Sequence, residues 1–128
     1  MTTEHEIWKR LNKLECVKKV FGAWRYGDFY TLYGSIYQID EDDTDYNKHK
    51  TTMGKDEVWI PPLYDPVRPE RSLIEILYTI LVNKHDDGWR DIKHLYGWAR
   101  EEIGRIVGLS DRPDLALAKV ILEQKEKG

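Results

Sequence analysis

The side chains in this sequence that could do chemistry are few and scattered. The densest group is acidic, Asp40-Glu41-Asp42-Asp43-Thr44-Asp45, followed by Tyr46-Asn47-Lys48-His49-Lys50. Carboxylates this close could hold Ca²⁺ or Mg²⁺. A calcium loop needs oxygen ligands at positions 1, 3, 5 and 12, with glycine at 6. Starting at Asp43 puts Asp45 and Asn47 correctly, but Lys48 takes the glycine position and Gly54 the final ligand position. Starting at Asp40 puts Asp45 and Thr51 at those two positions. The run 40–45 therefore reads as a solvated, exposed charge run, with cation binding left open.

Histidine chemistry is weakly marked. His5, His49, His85 and His94 show no pairing at helical spacing of the kind a zinc site uses. His85 beside Asp86 and Asp87 has the composition of an acid–base pair or a metal site. It also sits at an expected helix end, where a histidine meets the helix dipole favourably. Cys16 lies between Leu14 and Val17 and reads as a buried apolar thiol. There is no Gly-x-Ser-x-Gly elbow, no P-loop and no dinucleotide-binding glycine pattern. No metal, no cofactor and no catalytic residue is expected.

Two segments point to binding. The run Trp24, Tyr26, Phe29, Tyr30, Tyr33 and Tyr37 could stack on bases if exposed, but Arg25 is the only basic residue between Phe21 and Lys48. Core packing is the favoured reading, and any ring left exposed is a candidate protein contact. The second segment is Trp59-Ile60-Pro61-Pro62-Leu63-Tyr64, where the prolines pre-order the backbone and lower the entropy cost of docking. Trp59, Pro61, Pro62 and Tyr64 are its candidate binding residues.

A nucleic-acid alternative rests on 98–122. Gly104, Gly108 and Ser110 match the small residue, turn glycine and helix-opening polar residue of a helix-turn-helix. Arg100, Arg105, Arg112 and Lys119 would supply phosphate contacts. The pattern then departs: Pro113 falls among the base-reading positions, and Asp111 and Asp114 would face phosphates. Outside such motif packing, Gly104 and Gly108 would serve close helix approach and a helix end.

The composition frames these candidates. The chain has 128 residues, 41% hydrophobic, 12% aromatic and 34% charged, with a net charge of −3. It is long enough for one domain, expected over 1–128, and apolar enough to bury a core. Near-cancelling charge is a poor match to a general nucleic-acid binder. One cysteine excludes an internal disulfide. No apolar stretch is long enough to span a membrane and no leader peptide is apparent, so a cytoplasmic location is expected.

The elements that must position these residues follow from periodicity. A Thr3–Glu6 capping box and Ile7, Leu11, Leu14 and Val17 at helical spacing, with Trp8 and Phe21 alongside, predict a helix over 4–21, stopped by Gly22. Gly27-Asp28 predicts a hairpin of strands near 23–26 and 29–39, with the sheet covered at least partly on both faces. Residues 40–57 predict a loop, and Val58-Trp59-Ile60 a short strand ended by Pro61. Leu73, Ile76, Leu77, Ile80 and Leu81 predict a helix over 70–84. Ile92, Leu95, Tyr96, Ala99, Ile103 and Ile106 predict another over 89–107. Pro113 opens a fourth, with Leu115, Ala118, Ile121 and Leu122 as its stripe. The expected fold is α+β, a small antiparallel sheet packed by about four helices.

The order of these pieces carries a resemblance. Aromatic strands, then Val58-Trp59-Ile60-Pro61-Pro62, then a helix holding Leu73-Ile74-Glu75-Ile76-Leu77, form its first half. The closing helix, Arg112-Pro113-Asp114-Leu115-Ala116-Leu117-Ala118-Lys119-Val120-Ile121-Leu122, is its second. This arrangement resembles small bacteriophage and prophage accessory proteins of the phage ABA-sandwich type. The resemblance implies a compact α+β viral protein with no catalytic residue set, and it carries over no site residues. The resulting expectation is a non-enzymatic protein that binds a protein partner, with homo-oligomerisation open. A DNA-binding regulator is the alternative, and a small metal-dependent enzyme using His85, Asp86 and Asp87 the third reading.

Overall fold

The computed structural model describes residues 4–25, 27–39, 57–85 and 91–126. Within them the chain is α+β, with five α-helices and a three-stranded antiparallel sheet. Contacts divide it into two compact units, Met1–Pro62 and Leu63–Gly128. The Thr3 cap and the acidic run 40–45 lie outside the described residues.

The first unit opens on two short helices, α1 (Glu4–Leu11) and α2 (Glu15–Phe21), where the sequence predicts one continuous helix. The break is at Asn12. Its side-chain Nδ2 donates to the Trp8 carbonyl at 2.8 Å and to the Trp59 carbonyl at 2.6 Å. A buried Asn12 thus closes the end of α1 and ties it to the last strand, while Leu14 turns extended (φ −73°, ψ 134°) before α2. The apolar spacing survives the break, because Ile7, Trp8, Leu11, Val17 and Phe21 are all buried. Gly22 ends α2 with φ 64°, a conformation glycine adopts without strain. Asn12→Ala is expected to cost about 1–3 kcal/mol, since it leaves a buried carbonyl with an unmet bond. A urea titration followed by circular dichroism would register this as a lower midpoint.

The strands are β1 (Phe29–Leu32), β2 (Ser35–Gln38) and β3 (Val58–Ile60), in the order β2-β1-β3. The hairpin turn lies at Tyr33-Gly34, not at Gly27-Asp28 as predicted, and Trp24 is not in a strand. Both turn residues have positive φ, 51° and 85°, as a two-residue hairpin of this twist requires. Gly27-Asp28 instead forms a bulge. Gly27 N–H donates to the Ile39 carbonyl, and Ile39 N–H donates to the Asp28 carbonyl, so two residues oppose one.

Alternation along the strands divides the sheet into two faces. Tyr30, Tyr37 and Trp59 share one, where rings run in sequence from Trp59 to Phe21 (5.1 Å), Trp24 (5.0 Å), Tyr30 (5.4 Å) and Tyr37 (5.5 Å). Thr31 lies on the other, against α1, and His5 Nδ1 approaches its Oγ1 at 3.1 Å. The sheet is therefore covered on both faces at Tyr30, Thr31, Val58 and Trp59, which bears out the partial two-sided cover the sequence predicts. All four residues of β2 are exposed.

In the second unit, a 3-10 turn (Pro69–Arg71) leads into α3 (Leu73–His85), followed by α4 (Ile92–Gly108) and α5 (Pro113–Glu126). Each of the three helices packs on the other two. The α3 stripe is buried as predicted at Leu73, Ile76, Leu77, Ile80 and Leu81. From α4 come Leu95, Ala99 and Ile103, while Tyr96 is exposed and Ile106 half-buried. In α5 the stripe is Leu117, Ala118, Ile121 and Leu122, and Leu115 is only half-buried. Asp91 caps α4 by accepting from Lys93 N–H at 2.9 Å. Pro113 opens α5 as expected.

Candidate interaction surface

The residues picked from the sequence for binding have different fates. Trp59 is fully buried, with its ring against Phe21, and Pro61 is also fully buried. Pro62 is half-buried, and Tyr64 is 53% exposed. Trp59 and Pro61 therefore serve packing and present no side-chain surface to a partner.

Three of the four basic residues proposed for phosphate contact are engaged with carboxylates. Arg100 makes a bidentate bond to Glu75 (2.8 and 3.2 Å) and lies 3.7 Å from the centre of the Tyr78 ring. The Glu75 hydrogen bond holds the Arg100 guanidinium above its ordinary pKa, against the opposing effect of burial. Arg105 bonds to Glu102 at 2.8 Å, which likewise raises its pKa. Arg112 bonds to Asp114 at 3.1 and 3.2 Å. Lys119 is exposed on α5. A phosphate backbone would have to displace these carboxylates, which weakens the electrostatic case for DNA.

The helix-turn-helix likeness also loses its packing rationale. The motif wants a small residue at Gly104 so that two helices approach closely. A Cβ built at Gly104 or at Gly108 meets nothing within 4 Å. Neither glycine serves close helix packing, and Gly108 belongs to the last turn of α4.

His85 ends α3, and its ring sits edge-on to Trp98 at 4.9 Å. Asp86 and Asp87 lie outside the described residues. Cys16 is half-buried on α2. Among the described residues no group of three His, Cys, Asp or Glu side chains is placed to hold a metal ion. Also among them, no helix is long and apolar enough to cross a membrane.

What stands out is the β1–β2 hairpin. Tyr33 is 81% exposed at its turn, and Ile36 is 58% exposed on the edge strand. Phe29 and Tyr37 are each nearly half exposed, on opposite faces. No family model, curated protein or solved structure matches this chain. The hairpin is thus identified by geometry alone. Sequence reading located the aromatic run and named its exposed rings as contacts, but could not say which rings those were. The available signal was Tyr33-Gly34 between two four-residue β-forming runs, which marks a tight hairpin even though tyrosine is uncommon at positive φ.

Proposed function

We propose that this chain is a non-enzymatic protein-binding module, an accessory protein of the kind bacteriophages and prophages encode, and that its contact surface is the β1–β2 hairpin. The observation that carries the reading is the exposure of Tyr33, Ile36, Phe29 and Tyr37 on one small, hydrogen-bonded element. Exposed aromatic and aliphatic side chains on a rigid frame are the usual anchors of protein interfaces, because they shed water on docking and lose little freedom. The phage assignment draws on the sequence resemblance. Arginines already paired with carboxylates favour a protein partner over nucleic acid.

Tyr33→Lys combined with Ile36→Lys tests the reading. Both positions are exposed, so stability is expected to change by within about 0.5 kcal/mol each. Capture of a partner by tagged chain from a lysate of the source organism is expected to survive nuclease and to fall at least about tenfold in the double variant. Capture unchanged by the double variant, or abolished by nuclease, would remove the hairpin as the contact surface.

A further inference from the structure

The outer edge of the hairpin has a defined set of outward groups. β2 ends the order β2-β1-β3, so one side of its backbone meets β1 and the other meets no strand among the described residues. Ile39 N–H donates to the Asp28 carbonyl at 2.8 Å, so residue 39 aims its backbone at the β1 side. Backbone direction alternates along an antiparallel strand. Tyr37 and Ser35 therefore also face β1, while Ile36 and Gln38 face outward. The Leu32↔Ser35 pair agrees, since residues flanking a two-residue turn form a hydrogen-bonded pair. Two N–H and two C=O groups thus point away from the sheet, placed symmetrically about Tyr37.

Natural edges are usually guarded by charge, proline or a bulge. Ser35-Ile36-Tyr37-Gln38 has no charged residue and no proline, and pairs with β1 in unbroken register. The bulge lies behind it, at Gly27-Asp28.

We propose that β2 pairs antiparallel with β2 of a second copy of this chain, about a two-fold axis through Tyr37. This rests on the reading that the chain works by protein contact through the hairpin, and it names the partner. In this register the outward groups of Ile36 bond to those of Gln38 in the second copy, and the reverse, giving four backbone hydrogen bonds. Tyr37 faces Tyr37 of the second copy in a non-hydrogen-bonded pair, the closer of the two kinds.

Three observations fit a second copy of the chain. The outward groups are symmetric about one residue, so the edge is its own complement. Residues 29–39 contain no charged side chain, so neutral surface meets neutral surface with no like charges opposed. The Tyr37 ring is already stacked on Tyr30 at 5.5 Å and 24°, and needs little ordering to dock. Exposed Ile36 loses water on the opposite face, beside Gln38 of the second copy. A strand of four residues buries less than the roughly 1,200 Å² of a standard interface, so the association is expected to be weak.

Disulfide trapping tests the register. In a Cys16→Ser background, Tyr37→Cys is expected to form a covalent dimer under mild oxidation, because the two Cα atoms fall inside the roughly 4.4–6.8 Å that a disulfide spans. Ser35→Cys in the same background is expected to stay monomeric, since it faces Ile39 of the second copy. Cross-linking at Ser35 but not at Tyr37 would overturn the proposed pairing.

Sedimentation velocity tests the association itself. The unaltered chain is expected to shift from monomer to dimer between about 1 μM and about 1 mM. Ile36→Pro removes an outward N–H without touching the ladder to β1, and is expected to weaken dimerisation at least about tenfold. Ile36→Lys, which restores a usual edge guard, is the second variant should the proline disturb folding. A chain that stays monomeric throughout would overturn self-pairing. If that monomer still captured a lysate protein in an Ile36-dependent way, the protein-contact reading would stand and only the partner would change. Loss of both would end both.

Discussion

Replacing Trp59 with alanine is expected to remove about 3–5 kcal/mol of stability, the usual cost of deleting a buried tryptophan from a packed core. Trp59 is fully buried, pairs across the sheet with Tyr30, and touches the Phe21 ring at 5.1 Å. Its backbone carbonyl also receives the Asn12 side chain. The substitution opens a cavity where α2, β1 and β3 share rings. Typical domains are stable by only about 5–15 kcal/mol, so a loss of this size takes much of the total. Tyr64→Ala makes the comparison sharp. Tyr64 is 53% exposed, and its replacement is expected to shift stability by about 0.5 kcal/mol or less. Urea titrations of the two variants, followed by far-ultraviolet circular dichroism, should separate them clearly. Equal midpoints would mean that Trp59 is not a core residue.

Leu77→Ala is expected to cost about 2–5 kcal/mol. Leu77 is fully buried at the middle of α3, the helix that packs on both α4 and α5. Leu77→Met keeps most of the volume and is expected to cost less than about 1.5 kcal/mol. The exposed Thr79, two residues away on the same helix, should tolerate alanine with little change. This ordering, alanine at 77 worst, methionine at 77 mild and alanine at 79 near neutral, follows from burial alone. Thermal melts of the three variants would check it, and a Leu77→Ala melt at the parent temperature would contradict the assigned helix face.

The two expectations belong to different kinds of legibility. The α3 stripe was readable because a helix buries one face of its own sequence, and Leu73, Ile76, Leu77, Ile80 and Leu81 recur at that spacing whatever lies against them. The same local logic placed β3, the end of α2 at Gly22 and the start of α5 at Pro113. It missed the break at 12–14, because that break is made by Asn12 reaching a carbonyl 47 residues away. It also put the hairpin turn in the wrong place. Gly27-Asp28 and Tyr33-Gly34 both carry a glycine at positive φ, and only strand pairing decides which is the turn and which the bulge.

The candidate surface was still less legible. Trp59 and Tyr37 are both aromatic residues in strands, and nothing local distinguishes them. Their fates diverge because β3 lies under α1 and the Phe21–Trp24 rings, while β2 ends the sheet with its four residues exposed among the described residues. The arginines of 100–112 look available in the chain and are found engaged with Glu75, Glu102 and Asp114, one of these pairings spanning 25 positions. By itself the sequence determined the α+β class, the helix stripes and the presence of an aromatic strand region, since each depends on periodicity and turn chemistry within a short window. The tertiary structure alone decided which aromatics are core and which are exposed. Exposure is set by what packs on a residue from elsewhere in the chain, and no local spacing encodes that.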